Sequence, residues 1–272
     1  MRHLTPEQKS TLPLTPRPTE IAVHQPPVPL PLAPDTHLAA LRQEAAVLEQ
    51  LLRTADPATP VPTCGNWTLH DLGVHLGQAS RFAAAVVRTG ELPREQFAPA
   101  AGERIADWYA EGAASLLATL EEADPAAPCW AFGMEDATAA LWFRRATLDP
   151  AVHLVDVQLA TGARVHVDPL IAADGVDEVF ALMVPRVWHS SEQKPLPAPV
   201  ALRTTDTGHG WLIQPGDVPH ARPVDSGPAA ATVEAPAADL LLALWKRQPV
   251  RPEWISGDGA AADALLTATL TL

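Results

Sequence analysis

The first half of the chain carries hydrophobic residues at the three- and four-residue spacing of buried helix faces. The first such run predicts a helix over about 36–55, with this seam: Leu38, Leu41, Ala45, Leu48 and Leu52. A second helix is predicted to begin at a capping box, which Thr68 forms with Asp71, and to end near Gly90.

Three further stretches continue the helical pattern. The two longer ones predict helices over about 101–123 and 137–161, the first closed by Pro125 and the second by Gly162. The shorter one, over 175–184, predicts a fifth helix. Amphipathic helices with no strand pattern between them favour a bundle, in which a functional site is built from inward side chains on facing helices.

The pattern changes after the prolines at positions 195, 197 and 199. Short runs follow between Gly, Pro and Asp turns: 200–203, 211–214 and 230–234 are strand-like, and 236–245 and 259–270 are helical. We therefore predict an α+β protein, with a four-helix bundle over residues 35–190 and a small α+β domain over 191–272.

Composition and net charge argue against several classes of protein. Residues 1–34 hold nine of the 29 prolines and are predicted to form a proline-rich tail, disordered or extended. The net charge of −13 opposes binding to nucleic acid or to an anionic membrane. No apolar run is long enough to cross a membrane, and the N-terminus lacks the apolar segment of a signal peptide. With only 2 cysteines, a cytoplasmic protein is expected.

Two histidines stand beside the predicted helix seams. His75 lies two turns into the second helix and His153 lies in the fourth. Asp149 and His153 are four residues apart and share one helix face. A carboxylate and an imidazole from one helix, with an imidazole from a facing helix, can hold a metal ion and leave a position open for water or substrate. Zn²⁺ is the first expectation, with Asp156 as a carboxylate that orients an imidazole.

Each of these residues also has a plainer interpretation. A single histidine beside a seam is usually a core residue with its hydrogen bonds satisfied. Asp149 directly precedes Pro150, a pair typical of a helix start, so Asp149 is as readily a helix N-cap as a metal ligand.

Three segments carry a family resemblance. The segment VPTCGNWTLHDLGVHL, at 61–76, and the segment RRATLDPAVHLVD, at 144–156, resemble two motifs of the mycothiol-dependent maleylpyruvate isomerase family, a branch of the DinB-like bundles. The run ADLLLALWKR, at 238–247, followed by Gly257 and Asp258, is similar to the C-terminal domain of that family. The resemblance extends from about residue 36 to the end of the chain, in the family's order and spacing.

The resemblance implies a specific chemistry. The family's metal ligands fall here on His75, Asp149 and His153, and the metal, usually zinc, would lower the pKa of a low-molecular-weight thiol, mycothiol. The thiolate would then add to a small electrophilic substrate or displace a group from it. The arginine of the family's C-terminal motif falls on Arg247, whose expected role is to pair with a substrate carboxylate. Without the resemblance, Arg247 is as readily a solvated charge at a helix end.

The departures from the family pattern bear on the substrate. The family's His-Glu pair is Leu148-Asp149 here, so the carboxylate is one methylene shorter, and Pro150 follows it. The arginine that usually follows the second histidine is Leu154, and the glycine before Arg247 is Lys246. Loss of cations argues against maleylpyruvate itself, a dianion, as the substrate.

Three functions are compatible with these residues. The first is a metal-dependent thiol transferase or isomerase that acts on a small electrophile. The second is a non-catalytic relative that keeps the scaffold as a ligand-binding or interaction module, with the proline-rich tail as a docking segment. The third is a metal-independent enzyme in which His75 and Asp149 act as acid and base. Only the first predicts about one metal ion per chain.

Overall fold

The computed structural model describes residues 29–190 and 193–271. Residues 1–28 of the predicted proline-rich tail lie outside the described residues. The last part of that predicted tail packs on the protein, since Leu32 is buried in a cluster with Leu148, Ala151 and Ile171. Pro34 is the first residue of a helix, a position that suits its fixed φ and missing N–H.

The predicted four-helix bundle is confirmed. Its helices are α1 (Pro34–Thr54), α2 (Leu69–Thr89), α3 (Ile105–Glu122) and α4 (Ala140–Thr161). Helices α1 and α2 each pack against both α3 and α4. The ends of α2 are where its sequence predicts them, because the capping box of Thr68 and Asp71 forms and Gly90 ends the helix with a positive φ of 72°.

Small residues bring α2 close to α3. A side chain at Gly73 would collide with Ile105, and one at Gly77 would collide with the indole of Trp108. Residues 73 and 77 therefore face α3. His75, two residues from each along the helix, projects from another side of α2, toward α4.

Helix α4 runs without interruption through Pro150. The helix begins at Ala140, so the interpretation of Asp149 as a helix N-cap is wrong. The residues from Arg145 to Gln158 are almost all buried, which explains why α4 tolerates a proline that removes one backbone hydrogen bond. Tertiary contacts of the buried residues before and after Pro150 compensate for the local loss of helix stability.

The segment after α4 is longer than the predicted fifth helix at 175–184. Helix α5 (Pro169–Glu178) begins where the Asp168 side chain caps the N–H groups of the first turn. It continues through a π-helical turn, Val179–Met183, into the short helix α6 (Val184–Val187). The prediction missed this start although Asp168 and Pro169 form the pair typical of one.

The C-terminal part contains a sheet with two more strands than predicted. Strands β1 (Val200–Thr204), β2 (Gly210–Gln214), β3 (His220–Pro223), β4 (Ala231–Ala235) and β5 (Ile255–Gly257) have the order β3-β2-β1-β4-β5. Strand β1 pairs in parallel with β4, and the other pairs are antiparallel. Strands β3 and β5 were missed because they are edge strands with few apolar residues. Helices α7 (Ala237–Leu244) and α8 (Gly259–Thr267) agree with the prediction.

The bundle and the sheet share a core. Helix α5 packs against α7, and Val152 and Val155 of α4 belong to the same buried cluster as the sheet. Arg144 of α4 binds Asp174 at 3.0 Å and Asp177 at 2.8 Å, both on α5. This packing sets the position of the loop after α7 relative to α4. Within the described residues, no helix has the length and apolar content needed to cross a membrane.

Candidate functional site

His75, Asp149 and His153 meet between α2 and α4. One potential ligand atom from each lies within 4.8 Å of the others. The Nε2 atom of His75 is 3.7 Å from Oδ2 of Asp149, which is longer than a hydrogen bond, and the imidazole rings of His75 and His153 meet edge to face at 5.0 Å. The arrangement predicted from spacing on two facing helices is therefore present in the structure.

The carboxylate of Asp149 is bound through only one of its oxygens. Oδ1 accepts a short hydrogen bond from Arg145, one turn earlier on α4, and Arg145 also donates to Glu178 of α5 at 2.5 Å. Burial disfavours the charged form of Asp149, yet the Arg145 guanidinium and the nearby imidazoles hold its pKa well below the usual range. Asp149 is therefore ionised at neutral pH, and its Oδ2 faces His75.

His153 is oriented by Asp156, as the sequence predicted for that carboxylate. The Nδ1 atom of His153 is 2.8 Å from Oδ2 of Asp156, which is completely buried. A carboxylate can only accept at this contact, so the proton of a neutral imidazole is on Nδ1. The lone pair is then on Nε2, the nitrogen left for a ligand.

Asp156 is the centre of a second cluster. Besides His153, it accepts hydrogen bonds from Thr63 at 2.5 Å, from the Cys64 thiol at 3.3 Å and from Arg247 through two nitrogens at 3.0 Å each. Burial opposes ionisation, but these hydrogen bonds and the Arg247 charge hold the pKa of Asp156 well below its usual range. The fork of Arg247 therefore binds Asp156 of the protein. Its expected pairing with a substrate carboxylate would require this contact to open.

The position of Arg247 is determined by the way α7 ends. Lys246 has a positive φ of 59°, and the N–H groups of Lys246 and Arg247 bond the carbonyls of Ala243 and Leu242. These are the bonds of a Schellman motif, whose left-handed residue is usually glycine. This explains why the family has glycine before the arginine, and a left-handed lysine keeps the same turn here.

Cys64 lies beside both clusters but is not a nucleophile at neutral pH. Burial and the neighbouring Asp156 carboxylate raise the pKa of Cys64 to about 11. The thiol therefore stays protonated and donates a hydrogen bond to Asp156. Cys64, His153 and Asp156 also lie close enough to hold a cation, but the hydrogen bonds of Asp156 occupy this second group.

A cavity of about 500 Å³ opens in front of these residues. The polar end is formed by His75, Asp149 and His153, with Arg145 and Arg247 beside them. The remaining lining is largely apolar, from the bundle and from the segments that follow it: Leu76, Phe82, Leu116, Phe132, Trp142, Met183 and Trp245. This volume and lining are typical of a small-molecule site with a few convergent polar groups.

The donor set suits a divalent cation. Two ligand atoms bound to one tetrahedral zinc at about 2.1 Å lie roughly 3.4 Å apart. The separation of 3.7 Å between His75 and Asp149 is close to that value. Two nitrogens and one oxygen leave an open coordination position toward the cavity. The residues present therefore fit a metal ion, with Asp149 binding through Oδ2.

Sequence reasoning missed several residues around the site. Arg145 lies four residues before Asp149, the same spacing that pointed to Asp149 and His153, so this signal was available. Glu178 and Arg186 are distant along the chain, and no spacing rule connects them with α4. Only the packing of α5 and α6 on the bundle brings them near.

Comparison with known proteins agrees with the resemblance seen in the sequence. The family model for the mycothiol maleylpyruvate isomerase N-terminal domain matches residues 32–158, and the model for the C-terminal domain of that family matches residues 171–266. No curated protein sequence matches the chain.

Two solved structures share the fold. A histidine-to-alanine mutant of the mycothiol-dependent maleylpyruvate isomerase aligns with a TM-score of 0.53 at 12% identity, and the structure of the isomerase itself aligns with 0.50 at 13%. Each alignment covers 78% of this chain and 88% of the other. Both parts of the chain, in their order, are thus matched by one family, and the chain belongs to the mycothiol-dependent maleylpyruvate isomerase family of isomerase-like enzymes.

Proposed function

We propose that this protein is a metal-dependent isomerase or S-transferase that uses mycothiol to attack a small electrophilic substrate. His75, Asp149 and His153 would hold a divalent cation, with zinc as the expected metal. The observation that carries the proposal is the 3.7 Å gap between His75 Nε2 and Asp149 Oδ2 at the polar end of a cavity of about 500 Å³. This separation is close to that of two ligand atoms bound to one tetrahedral cation.

Each residue has a defined part in this proposal. When bound, the cation supplies Lewis acidity that allows a bound thiol to exist as thiolate at neutral pH. Arg145 holds Oδ1 of Asp149, so that Oδ2 alone is presented to the cation. Asp156 holds the proton on Nδ1 of His153 and leaves Nε2 as the ligand. The Cys64 thiol, with its pKa of about 11, does not compete as a nucleophile.

The apolar lining has two consequences for the reaction. It excludes water from the face of the substrate that lies against the wall, which protects a reactive adduct from hydrolysis. It also lowers the local dielectric, which strengthens the interaction between thiolate and protein charges. Both features favour a reversible addition of a thiol to an activated alkene, in which the adduct rotates about a single bond and then expels the thiol.

Metal analysis tests the ligand assignment. Protein purified without a His-tag and without chelator is expected to contain about one zinc per chain by elemental analysis. His75→Ala and His153→Ala should each lose most of it, because two remaining ligands bind weakly. His70→Ala is the matched control, since His70 is exposed on the same helix as His75 and does not line the cavity. Full occupancy in both mutants would reject the assignment.

The thiol is tested separately with the cobalt-substituted protein. Addition of mycothiol is expected to produce a sulfur-to-cobalt charge-transfer band, while the corresponding disulfide produces none. Turnover of maleylpyruvate with mycothiol then shows whether the substrate of the relatives is used. Turnover that resists metal removal would instead support the acid and base pair of His75 and Asp149.

A further inference from the structure

Arg186 differs from the other arginines that line the cavity. Arg145 binds Asp149 and Glu178, and Arg247 binds Asp156. Arg186 lies with its guanidinium over the ring of Phe132, 4.0 Å from the ring centre. Within residues 29–190 and 193–271, Arg186 has no ion pair shorter than 4.0 Å and no hydrogen bond to an oxygen, and the charges of Glu178 and Asp149 act on it only from farther away.

Two unusual backbone conformations lie next to this contact, one before Arg186 and one at Phe132. The π-helical turn at Val179–Met183 precedes α6, and Met183 and Arg186, three residues apart, both line the cavity. Such turns frequently occur at functional sites. Phe132 has a positive φ of 50°, an uncommon and costly conformation for a bulky residue. The ring of this residue is the one that lies against the Arg186 guanidinium.

The wall next to Arg186 is aromatic. The ring centre of Phe132 is 5.2 Å from that of Trp142, and the ring centre of Phe82 is 5.7 Å from that of Trp142. The Trp142 N–H already donates to the backbone carbonyl of Trp130 at 2.7 Å. The wall therefore offers a ligand apolar surface, and at its edge lies the Arg186 guanidinium, whose donors have no oxygen partner in the part of the chain that the structure describes.

We propose that Arg186 binds the anionic group, a carboxylate or a sulfonate, of a substrate whose body is aromatic or aliphatic and lies against Phe132 and Trp142. This inference rests on the proposed function and names its substrate class. With the proposed metal position taken by the thiol, Arg186 is the cavity arginine without a carboxylate partner among the described residues, and this cation beside an apolar wall fits an apolar monoanion. A compact dianion such as maleylpyruvate would leave its second charge against apolar surface or would have to displace Asp156 from Arg247.

A pair of fluorescent probes tests the proposal. 8-Anilinonaphthalene-1-sulfonate is an apolar monoanion, and N-phenyl-1-naphthylamine has the same aromatic body without the charge. Arg186→Met should raise the Kd of the sulfonate about tenfold, the usual cost of a lost charge-assisted hydrogen bond, and should change the Kd of the neutral probe less than about twofold. Arg186→Lys should recover part of the loss, because it keeps the charge and loses the fork.

Two control variants test whether the change in probe affinity arises in the cavity. Arg251→Met removes an arginine that also lies over an aromatic ring, that of Trp254, outside the cavity, and should leave both Kd values unchanged. Ala79→Phe places a ring in the cavity and should weaken both probes, with circular dichroism to verify the fold.

Four results would overturn the inference. The first is no binding of the sulfonate to the wild type, and the second is an equal loss of affinity for both probes in Arg186→Met. The third is a loss of sulfonate affinity in Arg251→Met as large as that in Arg186→Met. The fourth is a sulfonate affinity that still depends on Arg186 in a folded Ala79→Phe protein. The metal content of Arg186→Met should equal that of the wild type. Loss of the proposed metal site would appear in elemental analysis, whereas failure of the anion site would appear only in the probe affinities.

Discussion

Asp149 and Asp156 lie on the same helix but differ in how many of their carboxylate oxygens accept hydrogen bonds from the protein. Both are ionised at neutral pH, and in both an arginine offsets the cost of burial. Asp156 is fully buried and accepts hydrogen bonds on both oxygens. Asp149 is half-buried at the cavity, with one oxygen bound by Arg145 and the other 3.7 Å from an imidazole nitrogen.

This difference shows how two carboxylates of one site can have different roles. A carboxylate whose lone pairs are all used by the protein can position its neighbours but has nothing left for a ligand. A carboxylate with one unused oxygen at a cavity can bind a cation without losing its place in the fold. Asp156 thus has the part of a positioning residue and Asp149 that of a proposed ligand, although their pKa values are shifted in the same direction.

The largest effect that separates the two aspartates is expected on stability. Asp156→Asn should lower the free energy of unfolding by roughly 3–5 kcal/mol, because it leaves Arg247 buried without a countercharge. Asp149→Asn should cost less, about 1–2 kcal/mol, because Arg145 keeps its ion pair with Glu178. Urea unfolding of the metal-free proteins at pH 7 measures both. Equal losses would contradict the comparison.

The pH dependence of that stability difference sharpens the assignment. The pKa of Asp156 is lowered in the folded protein, so its contribution is complete above the unfolded value of about 3.9 and is lost as the pH falls through the folded value. The gap in unfolding free energy between the wild type and Asp156→Asn should therefore shrink as the pH falls below about 4. A gap that grows as the pH falls below this value would show that the folded pKa is not lowered.

A smaller effect is expected on metal affinity. Asp156→Asn should weaken zinc binding about 10- to 100-fold, because His153 loses the carboxylate that fixes its tautomer. Asp149→Asn should weaken binding more than this, since it removes a ligand outright. Competition with a chromophoric chelator gives both dissociation constants. The reverse order would exchange the parts proposed for the two aspartates.

The smallest effect concerns Cys64. Because its pKa is raised to about 11, alkylation by iodoacetamide at pH 7.5 should be much slower than that of a free cysteine and should accelerate as the pH rises. Asp156→Asn should speed the reaction at pH 7.5, since removal of the carboxylate lowers the thiol pKa. Mass spectrometry of the modified peptide separates Cys64 from the buried Cys129. Rapid alkylation of the wild type would contradict the assigned hydrogen bond to Asp156.

The fold was predictable where local chemistry sets it. The capping box at Thr68 and the left-handed glycines at 90 and 162 ended helices at the expected residues. Strands β3 and β5 were missed because edge strands can form without an alternating apolar face. The interpretation of Asp149 as an N-cap failed for a related reason, since the burial that lets α4 continue through Pro150 has no local signal.

The sequence by itself determined which residues share a helix face, because the period of a helix is a local property. It therefore placed Asp149 with His153, and the spacing of the capping box placed His75 in α2. Tertiary structure alone decided which distant residues complete the site, since Glu178, Arg186 and Arg247 reach it only after α5, α6 and α7 pack on the bundle. Burial and pairing depend on contacts between residues distant along the chain, and only the folded core brings these together.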